Sequence, residues 1–515
     1  MKWSFQCIII ALCFILTFDS FGQGTSPKRE FRGVWVATVL NLDYPSSKNL
    51  DSESQKQEWI GLLDEYKKMG MNAVIFQVRP AGDAFYPSNL VPWSGYLTGE
   101  QGVAPEPFYD PLTFLIAETH KRSMEFHAWF NPYRATMNNK KSELSSSHML
   151  EKRPDWFVDY GGKYYFNPAL QEVRDHIVAV VEEVVNKYDI DGVHFDDYFY
   201  PYKKAGQEFP DQAQFEELGQ EFSNIGDWRR NNVDLLISEL SKTIKKAKPY
   251  VRFGISPFGV WRNENVDPVN GSATRAGVMS YDDLNADILK WLEADWIDYV
   301  APQIYWNIGF TVADYAVLVD WWSKHSFGKD LYIGHAAYKV ATDSRAAWNS
   351  PDEIPKQIRL NRQNPNVQGS IYFRSKSLLD NPLGVADALK KDYYQQQAML
   401  PNTPQSFTKT NNFPKQRCAK NKEEGIQLRW KYHRKDKKNP PYYYVVYRFE
   451  DGVAVDFNKS KNIIAVTPFH VEHQRKWEYS DNSAKKGKKY TYVVRPVNRE
   501  HSEGLPSKGK KAKKK

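Results

Sequence analysis

The feature that most constrains the fold is the alternation of short apolar runs with helical periodicity along residues 32–374. Eight runs rich in β-branched and aromatic residues predict strands at 32–38, 72–79, 125–131, 192–197, 252–258, 299–306, 331–338 and 369–374. Helical patterns cover 52–70, 111–122, 167–188, 227–248 and 280–294. Because strands joined through helices run parallel, eight such units predict an α/β protein with a (β/α)8 TIM barrel and large loop insertions.

The competing fold for this pattern is a doubly wound open sheet. That fold places a Gly-x-Gly-x-x-Gly turn after the first strand when it binds dinucleotides. The first predicted strand is followed instead by Leu40-Asn41-Leu42-Asp43. A nucleotide-binding sheet is therefore disfavoured, and we expect neither a nucleotide cofactor nor a nucleic-acid partner.

The chain changes character after residue 401. Short alternating strands separated by turns include the sequences IQLRWKY, YYYVVYRF and YTYVVRPVN, which are typical of an all-β sandwich. They loosely resemble a fibronectin type III domain over about 100 residues. We expect a barrel domain over 28–400, a fibronectin type III-like domain over 405–505 and a disordered basic tail over 506–515.

The charge distribution separates the same two modules. The chain carries a net charge of +8, but residues 405–515 hold 28 Lys+Arg and 11 Asp+Glu, a balance of +17, which leaves −9 for residues 1–404. A basic module is attracted to anionic polymers of the cell envelope. The alternative is that its lysines only keep the domain soluble. We expect the barrel to hold its own core and its own active site.

The N-terminus has the pattern of a secretory signal peptide over residues 1–22. Lys2 precedes an apolar run at 8–18, and small residues lie near a cleavage site before Gln23. An uncleaved anchor is the alternative. We therefore expect an exported protein that is periplasmic, envelope-associated or secreted. Two of the three cysteines lie in the leader, so the exported chain has no internal disulfide.

Polar side chains recur at the carboxyl ends of the predicted strands, where barrel enzymes place their active sites. The fourth strand ends in Asp196-Asp197, and neighbouring carboxylates repel each other unless they are solvated or paired. If Asp196 points inward, alternation brings further side chains to the barrel mouth. These candidates for substrate binding are Gln77, Arg79, Trp129, Asn131, His194, Ser256, Gln303, Tyr305, His335, Tyr372 and Arg374.

Long loops after these strands carry further aromatic residues, which stack on the apolar faces of sugar rings when they are exposed. The alternative is that they pack the loops against the barrel. The loop aromatics are Trp156, Tyr160, Tyr164, Tyr165, Tyr198, Tyr200 and Trp261, and Trp306 follows the sixth strand.

The residue types in this ring favour glycoside hydrolysis. The first strand reads Trp35-Val36-Ala37, without the histidine pair of a metal-dependent hydrolase barrel, so we expect no metal and no other cofactor. No Gly-x-Ser-x-Gly sequence is present. Carboxylates, amides and aromatics remain, and glycosidases need one carboxyl as acid and one as nucleophile or base.

Six sequence segments closely resemble the glycosyl-hydrolase-like 10 family of secreted or envelope-associated bacterial proteins. They are EFRGVWVATVLNLDYPS, NAVIFQVRPAGDAFYPS, HAWFNPYR, DGVHFDDYFYP, GISPFGVWRN and WIDYVAPQIYW. The resemblance covers about residues 28–375 and implies a barrel that cleaves glycan, with peptidoglycan glycan strands as the suspected substrate. It marks Asp83, Asn131, Asp196, Asp197, Arg262 and Gln303.

The second catalytic carboxyl is open at this point. Besides Asp196, the candidates for catalysis are Asp197 and Asp83, and the carboxylates after the fifth strand are Glu264, Asp267, Asp282 and Asp283. We expect Asp282 and Asp283 to cap the next helix. The alternative functions are a non-catalytic carbohydrate-binding protein and a metal-dependent deacetylase or amidase. The linkage, the stereochemistry and the oligomeric state do not follow from the sequence.

Overall fold

A computed structural model describes residues 26–402, 414–431, 441–469 and 476–515, so the predicted leader at 1–22 lies outside the described residues. The strands are β1 (Phe31–Val36), β2 (Ala73–Arg79), β3 (Glu125–Phe130), β4 (Phe157–Tyr160), β5 (Lys163–Phe166), β6 (Gly192–Phe195), β7 (Arg252–Ile255), β8 (Tyr299–Val300), β9 (Asp330–Ala336), β10 (Val367–Phe373), β11 (Lys415–Asn421), β12 (Ile426–Lys431), β13 (Tyr443–Glu450), β14 (Ile463–Val466), β15 (Lys476–Asp481), β16 (Lys489–Val497) and β17 (Lys510–Lys513).

The α-helices are α1 (Ser52–Met69), α2 (Gly95–Thr98), α3 (Pro111–Lys121), α4 (Met149–Lys152), α5 (Gln171–Lys187), α6 (Gln212–Leu218), α7 (Ile225–Ala247), α8 (Ser280–Asp283), α9 (Ile288–Glu293), α10 (Tyr315–Lys324), α11 (Glu353–Gln363), α12 (Ser375–Leu379) and α13 (Val385–Ala388). Within the described ranges, none of these helices combines the length and the apolar character needed to cross a membrane.

Eight parallel strands close into a barrel in the order β1-β10-β9-β8-β7-β6-β3-β2, which confirms the predicted architecture. Alternate residues of β1 and β2 face opposite sides. Trp35 and Ile75 belong to the apolar cluster in the lumen, whereas Val34 and Phe76 pack outward with the helices. All residues of β1 and β2 are buried, because both faces of a barrel strand are covered.

Several elements differ from the sequence prediction. The helix predicted at 280–294 is two short helices, because Asn285 has a positive φ of 51° and Asp287 caps α9 by accepting from Lys290 N at 3.3 Å. Asp283 accepts from Met279 N at 2.7 Å at the start of α8, and Asp282 binds Arg262. The sixth barrel strand is only Tyr299–Val300, and helices α10 and α11 have no predicted counterpart.

The C-terminal module consists of two antiparallel sheets, one in the order β11-β12-β15 and the other in the order β14-β13-β16-β17. Buried side chains from both sheets form one cluster, in which the Trp430 ring lies 5.6 Å from the Tyr444 ring. The tail predicted to be disordered contains β17, which pairs antiparallel with β16. Strand β17 is paired on one side only, so the lysines form an ordered sheet edge.

The C-terminal module contacts the barrel at the amino ends of its strands. Tyr442 donates to Asp191 at 2.8 Å, and His501 bonds Glu125 at 2.6 Å, at the starts of β6 and β3. Tyr443 of β13 belongs to the same apolar cluster as the lumen residue Trp35. The cluster between the barrel strands and helices consists of barrel residues, whereas β13 contributes to the smaller cluster in the lumen. The expectation that the barrel holds its own core stays a prediction.

Candidate active site

A pocket of about 270 Å³ opens at the carboxyl ends of the barrel strands, opposite the C-terminal module. Its lining combines two carboxylates with amides, one arginine and several aromatic rings. Eight predicted residues line it, namely Gln77, Trp129, Asp196, Asp197, Tyr198, Ser256, Gln303 and Tyr305. The other lining residues are Trp35, Ala37, Val39, Leu42, Arg134, Tyr202, Tyr338 and Phe373.

Asp196 lies directly after the last residue of β6, where the chain leaves the barrel. Its Oδ2 accepts from Trp129 Nε1 at 3.0 Å and from Asn131 Nδ2 at 3.4 Å, and its Oδ1 accepts from Tyr198 N at 3.3 Å. Burial and the adjacent Asp197 charge raise its pKa to about 7. Asp196 can therefore hold or release a proton near neutral pH.

Asp197 also faces the pocket but has different partners. The Tyr202 hydroxyl donates to Asp197 Oδ2, and the side chain of Gln303 provides a further hydrogen bond. Burial raises the pKa of Asp197, while these two donors oppose that rise by stabilising the carboxylate. The two neighbouring carboxyls thus have different partners, because Asp197 alone of the two accepts from a side-chain hydroxyl, whereas all donors to Asp196 are N–H groups.

Arg134 supplies the positive charge of the pocket. Its Nε and Nη2 both donate to Pro80 O at 3.1 Å, and its guanidinium lies 5.1 Å from the centre of the Tyr198 ring. The Arg134 charge lowers the pKa of both aspartates, against the effect of burial. Strand periodicity does not predict Arg134, because this residue lies in a loop, although it ends the family-like segment HAWFNPYR.

Gln77 presents a free donor to the pocket. Its Oε1 accepts from Thr38 N at 3.0 Å and from Val39 N at 2.9 Å, which fixes the orientation of the amide. The Nε2 of Gln77 is buried and has no hydrogen-bond partner among the residues that the structure describes. A buried amide donor is costly to leave unpaired, so Gln77 is suited to bind an oxygen of a ligand.

Asn131 and His194 support the pocket without lining it. Asn131 donates to Asp196 and accepts from Arg134 N at 3.0 Å, which ties the Asp196 carboxyl to the loop that carries Arg134. His194 is fully buried below the pocket, and its Nε2 lies 3.2 Å from Trp35 Nε1 and 3.1 Å from Ser256 Oγ. Burial holds the pKa of His194 well below its ordinary value, so the imidazole is neutral.

Strand β10 has the opposite phase to the prediction. Ile371 packs in the lumen and Phe373 lines the pocket, whereas Tyr372 points outward and bonds Tyr394 OH at 2.6 Å. On the neighbouring β9, His335 also points outward and bonds Gln357 of α11 at 2.8 Å. The predicted inward placement of Tyr372 and His335 is therefore wrong, because both find polar partners beneath the helices.

Three predicted arginines lie outside the pocket. Arg79 follows a register shift in the β2–β3 pairing and donates to Asn131 O at 2.6 Å. Arg374 donates to Leu42 O at 2.7 Å, and Arg262 pairs with Asp282 at 2.9 Å. Each arginine holds a loop in place, and the placement of all three differs from the predicted polar ring.

Asp83 and Trp306 also lie apart from the pocket lining. Asp83 accepts from Ala81 N at 3.1 Å and lines a separate cavity of about 850 Å³ among the loops. Burial raises its pKa to about 6. The Trp306 ring packs 5.5 Å from Phe258. The structure thus brings Asp197, rather than Asp83, together with Asp196 in one pocket.

The loop aromatics differ in burial, and Tyr164 and Tyr165 are half-buried outside the pocket. Trp156, Tyr160, Tyr200 and Trp261 are buried, as the packing alternative predicted. Tyr198 is 38% exposed and lines the pocket together with Tyr202, Tyr305 and Tyr338. The pocket walls therefore offer flat apolar rings beside the carboxylates, an arrangement that suits a sugar.

Known proteins resemble this chain over most of its length. The sequence profile described as glycosyl hydrolase-like 10 matches residues 30–350. "Glycosyl hydrolase YngK" of Bacillus subtilis (strain 168) is 51% identical over 493 residues, which cover 95% of this chain and 94% of that protein. "Glycosyl hydrolase DigH" of Escherichia coli (strain K12) is 42% identical over 372 residues, which cover 67% of this chain and 83% of that protein.

Among solved structures, the PgaB (BpsB) glycoside hydrolase domain from Bordetella bronchiseptica overlaps with a TM-score of 0.46 at 14% identity, covering 70% of this chain and 98% of that chain. The fold described above follows from the strand order of the chain itself rather than from this overlap. The sequence comparisons are decisive for the family, because the profile covers seven of the eight barrel strands and every pocket residue except Phe373. The chain belongs to the glycosyl hydrolase-like 10 family.

Proposed function

We propose that the protein is a glycoside hydrolase in which Asp196 is the general acid. The observation that carries the proposal is the pair of buried carboxyls in one pocket with unequal partners. Burial and the Asp197 charge raise the pKa of Asp196 to about 7, whereas Tyr202 and Gln303 stabilise Asp197 as a carboxylate. Two carboxyls with different protonation are what glycosidic bond hydrolysis requires.

In the proposed reaction, the Asp196 proton moves to the glycosidic oxygen as the bond to the anomeric carbon breaks. The Asp197 carboxylate stabilises the positive charge that develops on that sugar. Water supplies the hydroxyl for the anomeric carbon, and its remaining proton returns the pair to its starting charge. The overall reaction consumes one water for each bond that is cleaved.

We propose bacterial glycan as the substrate, with the glycan strands of peptidoglycan as the specific polymer. The aromatic walls of the pocket and the free Gln77 amide support a sugar ligand. The family resemblance and the leader-like sequence at 1–22 support an exported enzyme that meets the cell wall. A carbohydrate-binding protein without catalysis is the second candidate, because carboxylates also bind sugar hydroxyls.

The test is to incubate the full chain with purified glycan strands and to analyse the products by mass spectrometry. We expect the masses of the two fragments of each cleavage to add up to the parent mass plus one water, with a new reducing end on one of the two. Asp196→Asn should abolish cleavage while the thermal unfolding midpoint stays near that of the wild type. The matched control is Asp320→Asn on the exposed face of α10, which should cleave normally. Binding without cleavage by the wild type would support the carbohydrate-binding alternative.

A further inference from the structure

A continuous chain of side-chain hydrogen bonds runs through the barrel lumen from the C-terminal module to the pocket floor. His501 Nε2 lies 2.6 Å from Glu125 Oε1, and Glu125 Oε2 lies 3.0 Å from His127 Nε2. His127 Nδ1 lies 2.8 Å from Tyr299 OH, which lies 3.0 Å from His194 Nδ1. We call these five residues the lumen relay.

The groups at the two ends of the lumen relay determine which atom donates and which accepts in each of its hydrogen bonds. The Trp35 indole can only donate, so His194 Nε2 accepts and His194 Nδ1 carries the proton. His194 Nδ1–H then donates to the Tyr299 oxygen, and the Tyr299 hydroxyl donates to His127 Nδ1. His127 is left with its proton on Nε2, which it donates to the Glu125 carboxylate.

Glu125 fixes this direction because an ionised carboxylate only accepts hydrogen bonds. Burial opposes its ionisation, but His501 and His127 together hold the pKa of Glu125 well below its ordinary value. The other charged groups nearby have their own partners. Arg252 pairs with Asp330 at 2.6 Å, and Asp191 bonds His120 at 2.8 Å.

His501 is oriented for this task by the C-terminal module. The Tyr443 hydroxyl lies 3.1 Å from His501 Nδ1, so when it donates there the Nε2–H is directed at Glu125. We propose that His501 is a positioning residue, whose bond to Glu125 sets the direction of the lumen relay and thereby the tautomer of His194 below the pocket. The inference rests on the proposed function for its effect on catalysis.

The tautomer of His194 matters because its Nε2 is shared by two groups that line the pocket. With Nε2 as an acceptor, both the Trp35 indole and the Ser256 hydroxyl can donate to it. If Glu125 took up a proton, the relay could reverse, and His194 would present Nε2–H to the Trp35 N–H. Two donors cannot bond each other, so the ring of Trp35 would have to move away from its place in the pocket wall.

The experiment compares His501→Ala with Tyr442→Phe in the full chain. Tyr442→Phe removes a different buried hydrogen bond from the same interface, the one to Asp191 at 2.8 Å. The first readout is the ¹⁵N chemical shift of the His194 ring nitrogens, because protonated and bare nitrogens are well separated. The second is kcat and KM on soluble glycan fragments. His501→Gln, which keeps an N–H donor toward Glu125, is the conservative variant.

We expect His501→Ala to move the His194 proton from Nδ1 to Nε2 and to lower kcat about 10-fold or more, because displacement of the Trp35 ring would misplace the sugar in the pocket. Tyr442→Phe should change neither readout, and His501→Gln should restore most of kcat. If His501→Ala does not fold, Glu125→Gln is measured instead, and we expect the same move of the His194 proton and the same loss of kcat.

An unchanged His194 tautomer in His501→Ala overturns the inference, as does a changed tautomer with an unchanged kcat. An equal loss of kcat in Tyr442→Phe would also overturn it, since a general loosening of the interface would then be the cause. If the wild type cleaves no glycan, the proposed function fails, whereas the nitrogen shifts still decide the direction of the relay.

Discussion

At the scale of single residues, one pocket gives two adjacent aspartates different protonation. Asp196 and Asp197 are equally buried, at 4% exposed each, so burial alone cannot distinguish them. The two aspartates are distinguished by their hydrogen-bond partners, because Asp197 accepts hydrogen bonds from the Tyr202 hydroxyl and the Gln303 amide. Arg134 then limits how far either pKa rises.

The first prediction concerns the pH dependence of kcat/KM. A general acid must be protonated, so wild-type activity should fall as pH rises through the Asp196 pKa of about 7. Arg134 lowers that pKa, so Arg134→Gln should raise the pKa and shift the fall in kcat/KM to higher pH. Arg134→Lys keeps the charge and should leave this fall near its wild-type pH. A shift of the fall to lower pH in Arg134→Gln would contradict the assignment.

At the scale of elements, strand periodicity correctly predicted which side chains of β6 face the lumen. It failed for Arg79, which follows a register shift. The alternation along β6 correctly led from Asp196 to His194, because both face the lumen side. Arg79 follows a register shift in β2, and alternation does not carry across such a shift. Loop residues such as Arg134, Tyr202 and Tyr338 have no periodicity from which their positions could be predicted.

Polar character was also misleading at this scale. His335 and Tyr372 looked like site residues because they are polar residues near strand ends. Both are fully buried under the helices, where Gln357 and Tyr394 satisfy them. A sequence does not show that such partners exist, since they come from elements that are distant along the chain.

The second prediction follows from the outward phase of β9. His335→Ala removes buried bonds to Gln357 at 2.8 Å and to Ser370 at 2.9 Å and leaves a cavity. We expect the free energy of unfolding to fall by about 2–4 kcal/mol. The kcat/KM measured well below the unfolding midpoint should stay at the wild-type value. Denaturant unfolding measures the stability, and steady-state kinetics measure kcat/KM. A raised KM with normal stability would indicate that His335 contacts the substrate.

At the scale of the whole molecule, the C-terminal module closes the barrel at the end opposite the pocket. The sequence indicated two modules through their charge and strand patterns, but it did not show that they share an apolar cluster. Tyr443 and Tyr447 on β13 complete that cluster, and Glu125 and Asp191 receive partners from the module. A fibronectin type III assignment for this module stays a prediction.

The third prediction is that a chain ending at residue 402 is markedly less stable than the full chain. Truncation leaves the buried Glu125 carboxylate without His501 and exposes the floor of the lumen cluster. A buried carboxylate that loses one of its two donors, here His501 beside His127, is destabilised. Thermal unfolding and size-exclusion chromatography would show a lowered midpoint or aggregation. A truncated barrel with full stability and normal kcat would show that the module contributes nothing to the site.

The fourth prediction concerns the basic edge of the module. We propose that the lysines of β17 contact anionic polymers of the cell envelope, since this edge strand is exposed at Lys510, Lys511 and Lys513. Replacing Lys510 and Lys513 by Gln should weaken binding to insoluble cell-wall material at low salt, with the difference shrinking as salt rises. Replacing Lys324 and Lys356, on the exposed faces of α10 and α11, is the control. Equal binding by both double variants would leave solubility as the role of the β17 lysines.

The central claim, that Asp196 donates the proton to the leaving oxygen, is tested most directly by comparing two substrates of Asp196→Asn. One is a glycan strand, whose leaving alcohol needs a proton. The other is an aryl glycoside of the same sugar with a nitrophenyl group, which leaves without one. We expect kcat/KM to fall by about 10²–10⁴-fold on the glycan strand and far less on the aryl glycoside. An equal loss on both substrates would contradict the claim, because Asp196 would then act on a step other than protonation.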